Sequence, residues 1–64
     1  MNRDFGENLK REMWKARMTG LELAEEINVS PVTISRYRNG RRFPDVRIVK
    51  HIKNALGCEI ADLI

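Results

Sequence analysis

Residues 19–40 read TGLELAEEINVSPVTISRYRNG, and they carry the clearest structural signals in the chain. Its first four residues match a capping box, in which the Thr19 hydroxyl accepts from the Glu22 amide and the Glu22 carboxylate accepts from the Thr19 amide. The pattern predicts a helix over residues 20–27. Three apolar residues at helical spacing define the inward face of this helix: Leu23, Ala24 and Ile27.

Another helix start follows after only three residues. Serine is a favoured N-cap, and Ser30 precedes a proline, which needs no N–H at the first helical position. We therefore predict a helix that begins at Pro31 and ends at Asn39-Gly40. Asn28 lies where the chain must turn between the two helices, and asparagine tolerates the left-handed backbone that such turns often require.

Upstream of this stretch, the pattern predicts one further helix. Phe5, Leu9 and Ala16 share a face of a helix over about residues 3–17, with Met13 beside them. The predicted face is apolar, so we expect it to pack on the helices that follow.

Downstream, residues 41–44 form a loop before a helix that Asp45 caps and Gly57 ends. A short helical turn follows over residues 59–64. The apolar residues that we expect to be buried in these two segments are Ile48, Val49, Ile52, Ala55, Leu56, Ile60, Leu63 and Ile64. The sequence thus predicts an all-α fold, a compact bundle of about five short helices in a single domain, residues 1–64.

Composition excludes several classes of protein. The chain has 64 residues with one cysteine and one histidine, so it can form neither an internal disulfide nor a zinc site of the usual kind. No convergent set of acidic, basic and nucleophilic residues indicates an enzyme, and we expect no metal and no cofactor. The chain has neither an apolar run that could span a bilayer nor a signal peptide, which predicts a cytoplasmic protein.

Positive charge is concentrated in one segment. The formal net charge is +3, but residues 36–53 alone contain seven Lys or Arg against Asp45, giving +6. A basic cluster of this kind is typical of proteins that bind a polyanion, although a basic face exposed only to solvent is the alternative.

Two helices joined by three residues pack at an open angle only if their contact is tight. Ala24 supplies the small residue at the crossing, and Asn28 supplies the turn. Five apolar anchors flank them: Leu23, Ile27, Val29, Ile34 and Tyr37. These are the requirements of a DNA-binding helix-turn-helix, with its core over residues 19–40.

The stretch TGLELAEEINVSPVTISRYRNGRRFP, residues 19–44, resembles the core of the lambda repressor and Cro-like family, also called the Xre family. The resemblance continues to Ala55-Leu56-Gly57. Four positions depart from the family pattern: Gly20 replaces a glutamine, Asn28 replaces the turn glycine, and Met13 and Arg38 replace an arginine–glutamate pair. Because Glu12 neighbours Met13, we hypothesise that Glu12 pairs with Arg38 with the charges reversed.

The resemblance implies that the first turns of the helix from Pro31 enter the major groove of DNA. Arg36 is the best candidate for reading guanine, because a guanidinium can donate two bonds to O6 and N7. The residues predicted to contact bases are Pro31, Val32, Ser35 and Arg36. Those predicted to contact phosphates are Ser30, Thr33, Asn39, Arg41 and Arg42.

We therefore expect a small transcriptional regulator, a bacterial or phage repressor that binds double-stranded DNA at an operator. A homodimer through Ile60, Leu63 and Ile64 would place two copies on neighbouring half-sites. No membrane partner and no small-molecule ligand are expected. A second interpretation is that the DNA-binding protein is an antitoxin or a recombination accessory protein.

A third reading is a helix-turn-helix scaffold for protein–protein interaction, with Trp14 in the contact. Trp14 lies off the apolar face of its helix. Its side chain is either covered by the stems of Lys10 and Arg17 or exposed for a partner.

Overall fold

The computed structural model describes residues 4–64, and within this range it contains five helices and no strand. The helices are α1 (Phe5–Ala16), α2 (Gly20–Ile27), α3 (Pro31–Arg38), α4 (Val46–Leu56) and α5 (Ile60–Leu63). The predicted all-α bundle of about five short helices is therefore confirmed. Residue 3, where α1 is predicted to begin, lies outside the described residues.

The predicted caps start the helices as expected. The Thr19 hydroxyl accepts from the Glu22 amide at 3.1 Å, and the Glu22 carboxylate accepts from the Thr19 amide at 2.8 Å. Asp45 accepts from the amide of Ile48 at 2.9 Å at the start of α4. These bonds satisfy amides that have no partner inside the helix, so the helix starts are encoded locally.

The core lies where the helices converge. α2 packs against α3 and α4, while α1 packs against α3, α4 and α5. The buried apolar side chains come from all five helices: Phe5, Leu9, Met13, Leu23, Ala24, Ile27, Ile34, Tyr37, Ile52 and Leu63. Around them, half-buried residues such as Ile48, Val49 and Leu56 close the edge of the core.

α1 and α3 approach each other closely at Gly6. A Cβ atom at this position would collide with the carbonyl oxygen of Arg38, and it would lie 3.0 Å from the carbonyl oxygen of Tyr37. Backbone therefore contacts backbone at this crossing, and a side chain on α1 would separate the two helices.

The structure overturns one expectation about α1 and decides between the two alternatives for Trp14. Ala16 is exposed, because α1 ends there and Arg17 turns the chain away in the left-handed conformation with φ 57°. Trp14 is 81% exposed, so the stems of Lys10 and Arg17 do not cover it.

The proposed pairing of Glu12 with Arg38 is also wrong. Glu12 is buried on α1, and its Oε2 accepts from Arg11 at 3.2 Å and lies 3.6 Å from Lys15 Nζ. Both partners come from the same helix within one turn, whereas the Arg38 side chain is directed towards Gly20.

The dimer contact predicted for the end of the chain needs correction. Leu63 is fully buried in the core of its own chain, as the helical pattern predicts, so it cannot contact a second copy. Ile64, also predicted for the core, is instead 58% exposed because it follows the last residue of α5. α5 is held against α1, since the side-chain Nδ2 of Asn8 donates to the Leu63 carbonyl at 2.9 Å and the Arg11 guanidinium donates to the Asp62 carbonyl at 2.7 Å.

Candidate nucleic-acid interface

The turn between α2 and α3 has the geometry that the sequence predicts. Asn28 is in the left-handed conformation, with φ 62° and ψ 48°. The next amide, that of Val29, donates to the carbonyl of Ala24 at 2.9 Å, which closes the end of α2. The small Ala24 is almost completely buried. The two helices therefore form a compact helix-turn-helix unit with a three-residue connection.

α3 is held in place by one side and presents the other to solvent. Ile34 and Tyr37 are buried, and they anchor α3 on the core. Around the helix, Val32, Arg36 and Asn39 form one exposed row at i, i+4 and i+7. A second row, Pro31, Ser35 and Arg38, runs beside it and is exposed except at Arg38, which is half-buried.

The four residues predicted to read bases thus share one face. Pro31, Val32, Ser35 and Arg36 are all exposed, and Val32 exposes 56% of its surface. The face combines an apolar contact, a hydroxyl and a guanidinium, which are groups that can contact base edges in the major groove. Their role in reading bases stays a prediction.

The residues predicted to bind phosphate divide into two groups. Ser30 and Thr33 lie at the start of α3, where the Ser30 hydroxyl accepts from the Thr33 amide at 3.2 Å and lies 3.0 Å from the Thr33 hydroxyl. Ser30 therefore has a structural role as the N-cap, and Thr33 is only half-exposed.

Asn39, Arg41 and Arg42 form the second group, at the opposite end of α3. All three are exposed. The side-chain Nδ2 of Asn39 donates to the Ser35 hydroxyl at 3.4 Å. Asn39, a candidate for phosphate binding, therefore contacts Ser35, a candidate for base reading. The Arg41 amide donates to the carbonyl of Arg36 at 2.9 Å, which fixes the start of the basic loop next to α3.

Phe43 anchors this loop, a role that the sequence reasoning missed. Its ring packs edge-on against that of Phe5, with centroids 6.1 Å apart, while 47% of the residue remains exposed. The available signal was an aromatic residue between Arg42 and Pro44 in an otherwise polar loop. Through Phe43, the positions of Arg41 and Arg42 are tied to the core of the domain.

The positive charge of residues 36–53 is not compensated within residues 4–64. The three ion pairs in this part of the chain all lie on α1: Lys10 with Glu7 at 3.2 Å, and Arg11 and Lys15 with Glu12. None involves a cation of residues 36–53. The one acid of that segment, Asp45, caps α4. Four of the seven cations of the segment, Arg36, Arg38, Arg41 and Arg42, lie on α3 and in the loop after it, and the other three lie on α4.

A separate cluster lies where α1 meets α5. Ligand atoms of Glu12, Cys58 and Asp62 lie within 4.8 Å of one another. Burial raises the pKa of the Cys58 thiol, and the carboxylates of Glu12 and Asp62 raise it further. Arg11 and Lys15 already balance Glu12, so this cluster contributes to packing between the helices.

Within residues 4–64, no helix has the length and apolar character needed to cross a bilayer. The described chain instead presents a helix-turn-helix with a basic outer surface. These features define a helix-turn-helix domain of the class that binds DNA.

Comparison with known proteins gives the family. A family model described as a helix-turn-helix matches residues 9–63, which is most of the chain. The chain belongs to this DNA-binding helix-turn-helix family, of the lambda repressor-like or Xre type. Comparison with curated proteins gives no match.

Among solved structures, this chain is similar to the crystal structure of apo-HppE. The TM-score is 0.88, with 26% sequence identity over 95% of this chain and 34% of that chain. The chain thus spans about a third of the length of apo-HppE, and the likeness concerns this region of that protein.

Proposed function

We propose that this protein is a sequence-specific DNA-binding transcriptional regulator that acts as a repressor by occupying an operator. One observation carries the proposal: α3 is anchored by Ile34 and Tyr37 and presents Val32, Ser35 and Arg36 together on its free face. The uncompensated cations beside this face supply the attraction to DNA that does not depend on sequence.

The residues of α3 and of the loop after it would make different contacts with DNA. Arg36 would donate two hydrogen bonds to guanine, and Val32 would contact a thymine methyl group. Arg41 and Arg42 would bind backbone phosphates and thereby set the register of α3 in the groove. Operator occupation then excludes polymerase from the same DNA. A cytoplasmic location is part of this proposal.

One domain of this size reads few base pairs, so we propose that two copies bind half-sites about one helical turn apart. Leu63 takes no part in their contact, because it is buried. Of the residues predicted for the dimer, Ile64 is exposed and Ile60 is half-buried.

Selection of bound sequences from a random duplex pool tests the proposal directly. We expect enrichment of a palindromic consensus, and affinity for it should fall steeply with salt. Arg36→Ala should weaken binding to the consensus by about 1–3 kcal/mol and relax the preference at one position in each half-site. Lys53→Ala is the matched control, since this cation lies in the last turn of α4, away from α3. Absence of enrichment at low salt would refute the proposal that this protein is a sequence-specific regulator.

The same DNA-binding surface would also serve an antitoxin or a recombination accessory protein. These roles share the predicted consensus and salt dependence, and they differ in what the DNA-bound protein acts on. Co-expression with the product of the adjacent gene separates them, because an antitoxin neutralises a toxic neighbour and a repressor does not.

The exposure of Trp14 favours one candidate of another class, a helix-turn-helix scaffold for protein–protein interaction. Trp14 is 81% exposed, and Leu21 is 58% exposed at the start of α2. This reading predicts binding to a protein partner that is insensitive to salt and lost in Trp14→Ala, together with no DNA affinity at low salt. DNA affinity that Trp14→Ala leaves unchanged would count against it.

A further inference from the structure

Arg38 occupies a position that the proposed recognition surface leaves unexplained. It is the last residue of α3 and follows Pro31 and Ser35 in the same row along the helix. It is half-buried, unlike the exposed Arg36, Arg41 and Arg42. The side chain thus lies along the border of the exposed face, on the side of α3 that faces the start of α2.

Gly20 creates the space that the Arg38 side chain uses. A Cβ atom on Gly20 would lie 2.9 Å from Arg38 Nη1 and 3.7 Å from Ile34 Cγ2. The first distance is shorter than real Cβ contacts, so any side chain at this position would displace the guanidinium. The guanidinium therefore rests on the backbone of the first turn of α2, beside the capping residue Thr19.

The Arg38 guanidinium stands apart from the ion pairs of the described chain. None of the ion pairs within residues 4–64 includes it, and the buried Glu12 pairs with Arg11 and Lys15 instead. Lys10 lines the same shallow cleft as Arg38 and Gly20, but Glu7 neutralises it in an ion pair of 3.2 Å. The start of α2 carries a partial positive charge, which the Glu22 carboxylate on the Thr19 amide offsets in part. Among residues 4–64, the Arg38 guanidinium thus keeps its donors free of an ion pair at the edge of the exposed face.

We infer that Arg38 is a further contact to the DNA backbone, and that Gly20 holds its guanidinium in the position to bind a phosphate. The inference rests on the proposed function, since the phosphate belongs to the duplex whose bases α3 reads. A guanidinium is suited to phosphate because its planar N–H groups can donate two parallel hydrogen bonds. Arg38 would then fix the start of α2 on one DNA strand, while Arg41 and Arg42 bind at the other end of α3.

The test measures affinity for the selected consensus duplex, and for a scrambled duplex, between 50 and 200 mM salt. Arg38→Gln should weaken binding to both duplexes alike, because a phosphate contact carries no sequence information. It should also reduce the salt slope by about 0.9, so that the wild type loses about threefold more affinity than the variant over this range. Lys53→Gln is the control, since it removes the same charge on α4 and should keep the wild-type slope.

Gly20→Ala supplies a second variant that keeps the charge and displaces the guanidinium. We expect it to weaken binding in the wild-type background and to have no effect in the Arg38→Gln background. Circular dichroism shows whether each variant is folded. If Arg38→Gln does not fold, the DNA affinity of Gly20→Ala tests the phosphate contact instead.

The failures are distinguishable. A wild type without DNA affinity at low salt defeats the proposed function and this inference together. A wild type that binds its consensus, with Arg38→Gln retaining the same affinity and slope, overturns this inference alone. Loss of affinity for the consensus only would show that Arg38 reads a base, which also overturns the phosphate assignment. Equal effects of Gly20→Ala with and without Arg38 would overturn the role of Gly20.

Discussion

Gly6→Ala tests the closest approach between helices in this fold. The added methyl group would collide with the Arg38 carbonyl oxygen and lie 3.0 Å from the carbonyl carbon of Arg38 and from the carbonyl oxygen of Tyr37. All of these are backbone atoms of the last turn of α3, which cannot rotate aside as a side chain can. Either α1 or α3 must therefore shift, and the buried side chains between them must repack.

Two opposing terms determine the size of the effect. Alanine is favoured over glycine in a helix by about 1 kcal/mol. Overpacking costs about 1–3 kcal/mol, and a collision with backbone belongs at the upper end of that range. We therefore expect a net loss of about 2 kcal/mol in the free energy of unfolding, which is a large part of the roughly 3–10 kcal/mol available to a domain of this size.

Urea and thermal unfolding followed by circular dichroism measure this loss. A change of about 2 kcal/mol should lower the melting temperature by about 8–16 °C in so small a domain. Gly20→Ala is the matched control, because it adds the same methyl group in the first turn of α2 against the mobile end of Arg38. The control should retain wild-type stability or exceed it. A Gly6→Ala variant as stable as the wild type would refute the backbone-to-backbone contact.

Three further predictions concern the cap of α3, Trp14 and Cys58. Ser30→Ala removes the acceptor for the Thr33 amide and should lower the free energy of unfolding by about 1 kcal/mol in urea titrations, whereas Ser30→Asp should retain stability. Trp14→Ala should change that free energy by less than about 0.5 kcal/mol, because the side chain is 81% exposed; a larger loss would show that it packs. Burial raises the pKa of Cys58 above 9.0, so thiolate absorbance should titrate at higher pH in the folded than in the urea-unfolded protein. Because the unfolded thiol ionises first, stability should fall as pH rises above 9.0, and equal midpoints would contradict this.

Much of the fold follows from signals within a few residues of one another. The Thr19 capping box and the Ser30-Pro31 start are local hydrogen-bonding patterns, so they predict where α2 and α3 begin. The left-handed Asn28 is similarly local, since the conformation depends on the residue itself and on the helix that ends there.

Part of the candidate site also follows from local helical spacing. Helical spacing alone predicts that Ile34 and Tyr37 face inward, and the structure buries both. The exposed position of Val32, Ser35 and Arg36 then follows from the geometry of one helix. Their contacts with DNA remain predictions, because they depend on a partner and not on this chain alone.

Spacing could not predict the features that depend on two distant segments. Ile64 is exposed although Leu63 beside it is buried, because the packing of α5 on α1 selects which residues face the core. Trp14 is exposed because no helix covers that side of α1 within residues 4–64. Glu12 finds its partners on its own helix because Arg38 is directed away from it.

The sequence by itself thus determined the number of helices, the starts of α2, α3 and α4 and the two-sided character of α3, because a cap or a helical period involves neighbouring residues. The position of Arg38 over Gly20 and the contact of α1 with the backbone of α3 at Gly6 are visible only in the folded chain. Those contacts depend on the angle and distance between helices, and many side chains acting together set these quantities.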